Sequence, residues 1–169
     1  MYCSYPDDVC VYDVSSSEAL PAIDISLEQL QENASLITTS CYHGQVKLRG
    51  TTRVDAGFSN DLGMVYDVRA QILGDGRDVN CDASTLRIAG TDGQHLSIVL
   101  AARTSYNESN GDAEHDFSFS GEDPSAYVQN AIDEVVAKTD AELLSAHIED
   151  YGALGSAFTL NLPEIVDSV

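Results

Sequence analysis

"MVYDVRAQIL", residues 64–73, decides the fold. Read with a period of two, it sets Met64, Tyr66, Val68, Ala70 and Ile72 on one face and Asp67, Arg69 and Gln71 on the other. An apolar row backed by a polar row is the pattern of a strand in an antiparallel sheet with one face buried. The pattern recurs on both sides. "HLSIVLAART" (95–104) offers Leu96, Ile98 and Leu100 as an inward row, and "AIDISLEQL" (22–30) alternates Ile23, Ile25 and Leu27 with Asp24, Ser26 and Glu28. "DVCVYDVS" (8–15) is rich in β-branched and aromatic residues, and "VKLRG" (46–50) and "STLRIAG" (84–90) complete the set. Turn signals such as "SNDLG", "LGDGRD" and "AGTDGQ" separate them. Short alternating strands at this spacing predict a mainly β chain folded as an antiparallel β-sandwich.

The pattern changes after residue 104. Residues 105–122 form a long polar stretch punctuated by glycine, a length more often found in functional or solvated loops than inside compact cores. Helices follow. Asp123-Pro124 supplies a capping residue and a proline at the first helical position. Val128, Ile132, Val135 and Val136 make one apolar stripe. Thr139 and Glu142 have capping-box spacing, and Leu144, His147, Ile148 and Tyr151 share one face of the helix they open. The stripe predicts that this two-helix segment docks on the sandwich through Val128, Ile132, Leu144, Ile148 and Tyr151. "AFTLNL" (157–162) reads as a last short strand. The organisation is therefore a sandwich portion over 1–104, a loop over 105–122, a helical linker over 123–154 and a strand-bearing terminus over 155–169.

Composition narrows the partners. With 28 Asp and Glu against 8 Lys and Arg, the 169 residues carry a net charge of -20. Such a surface repels phosphate backbones and anionic lipid, so neither nucleic acid nor membrane is an expected partner. No apolar run is long enough to span a bilayer, and "MYCSYPDD" at the start lacks the basic and apolar regions of a signal peptide. Asn33-Ala34-Ser35 and Asn107-Glu108-Ser109 are N-glycosylation sequons, which makes Asn33 and Asn107 candidate glycan acceptors in a secreted protein.

Chemistry-bearing motifs are sparse. HExxH, P-loop, CxxC, GxSxG and GxGxxG patterns are absent, and the four histidines lie in separate segments without metal-ligand spacing. No cofactor, metal ligand or catalytic residue is assigned. "NESNGDAEHD" is acidic but lacks the calcium-loop spacing. Carboxylates are abundant, yet a glycosidase needs two of them held at a fixed separation in a pocket that raises the pKa of one. Asp112, Glu114, Asp116 and Glu122 are the group to search if activity were found. There is no tryptophan, and Tyr106, Phe117 and Phe119 form the one aromatic cluster suited to stacking against a sugar ring. They are candidate glycan contacts, and a stand-alone glycan-binding or interaction module is the alternative reading.

"SYPDDVCVYDVSSS", "CYHGQVKLRGTT", "SIVLAARTSYN", "FSFSGEDPSAYVQNAI" and "LLSAHIEDYGALGSAFTLNLPE" occur in that order. The series resembles the fungal branch of glycoside hydrolase family 95, the secreted inverting 1,2-α-L-fucosidases. The resemblance implies that the chain is the later part of an incomplete, supersandwich-like N-terminal domain followed by a two-helix linker. It implies an extracellular location and a partner, an (α/α)6 catalytic barrel, that these residues do not include. It also implies fucosylated glycans as ligands of the whole enzyme and no activity for this chain alone. Gly152 and Gly155 stand where the family carries bulkier residues and weaken the end of the second helix. Cys41 and Cys81, read as loop residues beside strands, are expected to form a disulfide. Cys10, in mid-strand, reads as a small buried hydrophobe, and Cys3, where the family tends to have a small residue, is expected to be free.

Overall fold

A computed structural model describes residues 1–29, 37–51, 63–74, 78–90, 95–115 and 117–157. Its strands are β1 (Tyr2–Ser4), β2 (Val9–Ser15), β3 (Ile23–Ile25), β4 (Ile37–Tyr42), β5 (Gln45–Thr51), β6 (Val65–Ile72), β7 (Val79–Asp82), β8 (Thr85–Ile88) and β9 (His95–Thr104). Two helices follow, α1 (Ser125–Val136) and α2 (Asp140–Ser156). One sheet has the order β1-β2-β9-β6-β5-β4 and a smaller one β3-β8-β7, with every pairing antiparallel. The predicted sandwich with a helical segment behind it is the architecture found.

The two cores explain the layering. Val46, Ala70, Ile72, Leu86, Ile88 and Leu96 are buried between the sheets, with Ile23, Ile25, Ile98 and Leu100 partly buried beside them. On the opposite face of the large sheet, Val9, Val11, Val99 and Ala101 pack against Val128, Ile132 and Val135 of α1 and Leu143 of α2. The large sheet is thus covered on both sides. This corrects the reading of residues 64–73. The polar row was expected to face solvent, but Asp67 and Arg69 are buried because α1 lies over β6 and β9. The signal was in β9, where the near-continuous apolar run Ile98–Ala102 suits a strand covered on both faces.

Strands β1, β4 and β7 extend the sequence reading, and they change the cysteine assignments. Residues 43 and 44 form a two-residue hairpin between Tyr42 and Gln45, with φ of 49° at His43 and 76° at Gly44. Positive φ at both positions is the twist-matched geometry in which glycine is favoured. This hairpin makes Cys41 a strand residue. Cys81 lies on β7, and the two form a disulfide that ties the edge of the large sheet to the small one. Cys3 is not free. The β1–β2 hairpin sets it directly opposite Cys10, and the two are disulfide-bonded. Cys10 points away from the Val9 and Val11 core row and is only partly buried, so it is not a core hydrophobe.

The helical docking is also corrected in part. Val128 and Ile132 are buried as expected, but Leu144, Ile148 and Tyr151 are exposed, together with Leu154. α2 rests on β1 through Leu143 and the partly buried His147, whose ring stacks on Tyr2 at 4.9 Å. The helix runs through Gly152 and Gly155 to Ser156. The Thr139–Glu142 capping box is formed, with Thr139 N–H donating to Glu142 Oε2 at 2.8 Å and Glu142 N–H to Thr139 Oγ1 at 3.3 Å. Asn33 and the "AFTLNL" segment beyond Ala157 lie outside the described residues.

Candidate functional site

Three polar or aromatic groupings stand out, and each is built by the strands beneath it. The first lies under the start of α1. Register pairing sets Lys47 beside Arg69 and Arg49 beside Asp67. Asp67 is fully buried and receives Arg69 Nε at 2.8 Å, Lys47 Nζ at 3.0 Å and the Ser125 hydroxyl at 2.9 Å. Arg49 Nη2 reaches Asp123 Oδ2 at 2.5 Å, and Arg69 Nη2 donates to the Ser125 carbonyl at 3.1 Å. Burial pushes the Asp67 carboxyl up, but the hydrogen bonds from Arg69, Lys47 and Ser125 outweigh it and hold the group below its ordinary range. The Arg49 guanidinium and the Ser125 N–H hold Asp123 far lower still. The cluster fastens the helix to the sheet. Its sequence signal was the "KLR" and "DVR" pair, two strands with charges at i and i+2 on one face.

The second grouping lies where α2 begins. His95 Nε2 meets Asp13 Oδ1 at 2.5 Å, and its Nδ1 is 3.6 Å from Asp140 Oδ2. Ser97 donates to Asp140 at 2.9 Å and not to His95, so the Ser-to-His contact of a nucleophilic triad is missing. A cleft of about 660 Å³ opens here between Gln71, His95, Ser97, Lys138 and Asp140. The arrangement ties the first residue of α2 to β2 and β9.

The third grouping is the 105–122 loop. An isolated bridge between Tyr106 and Ser120 closes it, supported by Asn107 N–H to Phe119 O at 2.8 Å and Gly121 N–H to Ser105 O at 2.6 Å. The Tyr106 and Phe119 rings lie parallel, with centroids 5.9 Å apart and planes within 5°. Tyr106, Phe117 and Phe119 are 55%, 62% and 38% exposed. Phe117 and Phe119 both hold left-handed backbone, with φ of 55° and 54°. Asn107 is exposed and caps a short turn, its Oδ1 accepting from Ser109 N–H at 3.1 Å. Beside Tyr106 is a cleft of about 360 Å³ whose wall includes Asn107, Glu122, Asp123 and Tyr127, with Arg103 3.6 Å over the Tyr127 ring.

The reserve carboxylates Asp112, Glu114 and Glu122 are exposed, and Asp116 lies outside the described residues. The hydrogen bond from His115 at 2.6 Å leads the effects that hold Asp112 below its ordinary value. Glu142 is lowered too, by the Thr139 N–H it accepts. Among the described residues every carboxyl with a resolved shift, Asp67, Asp112, Asp123 and Glu142, is shifted down, opposite to what a general acid requires. Among them, too, no three His, Cys, Asp or Glu side chains are grouped to hold a metal ion, and no helix is long and apolar enough to cross a membrane.

Residues 1–109 match the family profile described as glycosyl hydrolase family 65, N-terminal domain. The chain is similar to a probable alpha-fucosidase A of Aspergillus oryzae, 38% identical over 170 aligned positions that cover 99% of this chain and 22% of that protein. It is also similar to a probable alpha-fucosidase A of Aspergillus niger, 34% identical over 96% of this chain and 20% of the relative. The chain thus spans about a fifth of the length of these curated relatives.

Proposed function

Because the chain belongs to the family of glycosyl hydrolase family 65 N-terminal domains, we propose that it is the non-catalytic β-sandwich portion of a secreted, fungal-type α-L-fucosidase, of the branch grouped as glycoside hydrolase family 95. The observation that carries this reading is the match of nearly the whole chain to one fifth of a probable alpha-fucosidase. The chemistry belongs, in this reading, to the other four fifths, a helical catalytic barrel. The solvent-facing row Leu144, Ile148, Tyr151 and Leu154 supports a second surface packed there. Two disulfides suit an oxidising compartment, and Asn33 and Asn107 are the glycan acceptors expected there.

The test is an exchange. The region of the Aspergillus oryzae relative that aligns with this chain is replaced by residues 1–169, and fucose release from 2'-fucosyllactose is compared with that of the isolated chain. Activity in the chimera and none in the isolated chain is the expected result. Fucose release by the isolated chain, abolished by a single Asp or Glu substitution, would overturn it.

A further inference from the structure

The aromatic loop has features that packing does not require. Three large aromatic side chains project into solvent from a segment otherwise made of small and polar residues. Phe117 and Phe119 both hold left-handed backbone, φ 55° and 54°, a conformation that L-residues other than Asn and Asp seldom adopt. Phe119 lies directly over Gly111, where a Cβ would fall inside contact distance of the ring. The loop is nonetheless fixed, by the backbone bonds already described and by Asn110 Nδ2 to the Ser120 carbonyl at 2.5 Å. Rigid, exposed and parallel rings lose little freedom on receiving a ligand.

We propose that this loop is a non-catalytic sugar site, in which the Tyr106–Phe119 ring pair and the adjoining cleft at Asn107, Glu122 and Tyr127 receive a 6-deoxyhexose such as L-fucose. An aromatic face complements the C–H face of a pyranose. A 6-deoxy sugar adds a methyl group where other hexoses carry a hydroxymethyl, which favours an apolar wall. The rim supplies the complementary groups: the exposed Glu122 carboxylate, which no hydrogen bond engages among the described residues, accepts from sugar hydroxyls, and the Tyr127 hydroxyl, which donates to Asp8, keeps a lone pair to accept. The site holds the sugar without cleaving it. The choice of fucose rests on the α-fucosidase reading above, whereas the ring pair and cleft do not.

The chain with Ser109→Ala, which removes the Asn107 sequon, is isotopically labelled and titrated with L-fucose, L-galactose and D-glucose while backbone amides are followed by NMR. L-fucose is expected to bind in the millimolar range and to move resonances of residues 105–107 and 119–123. L-galactose, which restores the C6 hydroxyl, is expected to bind several-fold more weakly. Tyr106→Ala should lower L-fucose affinity about tenfold, in line with the loss of an aromatic contact. Gly111→Ala, which displaces Phe119 without removing any aromatic ring, should weaken it as well, and unchanged β6 and β9 amides show that both variants fold. Silence from all three sugars, equal binding of the three, or binding that survives Tyr106→Ala would overturn the proposal. A chain silent here yet active in the exchange assay loses the site and keeps its family role. One that binds L-fucose but fails the exchange keeps the site and loses the role.

Discussion

The Asp67 carboxylate lies 2.8 Å from Arg69 Nε beneath the first turn of α1, two residues along the same strand and both out of solvent. Within a strand, residues at i and i+2 share a face, so their pairing belongs to the sheet alone. Ser125 converts it into a helix–sheet joint, donating its hydroxyl to Asp67 and accepting from Arg69 through its carbonyl. Removing Asp67 leaves the buried Arg69 guanidinium with its countercharge gone, held among the described residues only by the neutral Gln129 amide and Ser125 carbonyl. Asp67→Ala should cost about 3–5 kcal/mol, the range for breaking a buried pair from one side. Denaturant unfolding measures it, and a loss under about 1 kcal/mol would show that Lys47 and Arg49 already expose the site to water.

The two disulfides close loops of different length, with sequence separations of 40 for Cys41–Cys81 and 7 for Cys3–Cys10. By loop-closure entropy the longer contributes about 4 kcal/mol and the shorter about 2. Cys81→Ala should therefore lower the thermal midpoint more than Cys3→Ala. It should also loosen the small sheet, detectable as faster hydrogen exchange in β7 and β8. Equal effects on midpoint and exchange would count against the Cys41–Cys81 bridge as the tie between the sheets.

The legible part of this fold was the part whose local pattern and tertiary surroundings agree. β6 and β9 form as strands where the sequence places them, the Thr139–Glu142 box caps its helix, and the inward row at Leu96, Ile98 and Leu100 faces the small sheet. Burial of Asp67 was not legible, because it depends on a helix nearly sixty residues further along the chain. Cys3 was missed because β1 is only three residues long and carries no alternation to read. The aromatic cluster was visible as composition, whereas the parallel alignment of Tyr106 and Phe119 accompanies left-handed backbone at Phe119 that no local pattern announces.

Leu143 and Leu144 are neighbours on α2 with opposite fates, 0% and 43% exposed. The helical stripe read from sequence favoured Leu144, whereas the helix is turned so that Leu143 meets Val9, Val11 and α1. Leu143→Ala should cost about 2–5 kcal/mol by leaving a cavity, and Leu144→Ala under about 1 kcal/mol in the isolated chain. The reverse order, read by urea unfolding, would mean that the helix is rotated from the position described.

Acid should unfold the chain through the same joint that holds α1. Asp67 and Asp123 have folded-state pKa values below the ordinary 3.8 of an unfolded Asp. The folded chain therefore binds these protons less readily, and the unfolded chain takes up more of them as pH falls. Their contribution is fully present above about pH 5 and declines as pH drops through about 4 toward the folded values. Asp123 is mostly solvent-exposed, so the larger share belongs to buried Asp67. Asp67→Asn should lower stability at pH 7 and flatten the fall between pH 5 and pH 3. Urea midpoints collected across that interval decide it: a slope that Asp67→Asn leaves intact would place the acid sensitivity elsewhere among the carboxylates of this strongly acidic chain.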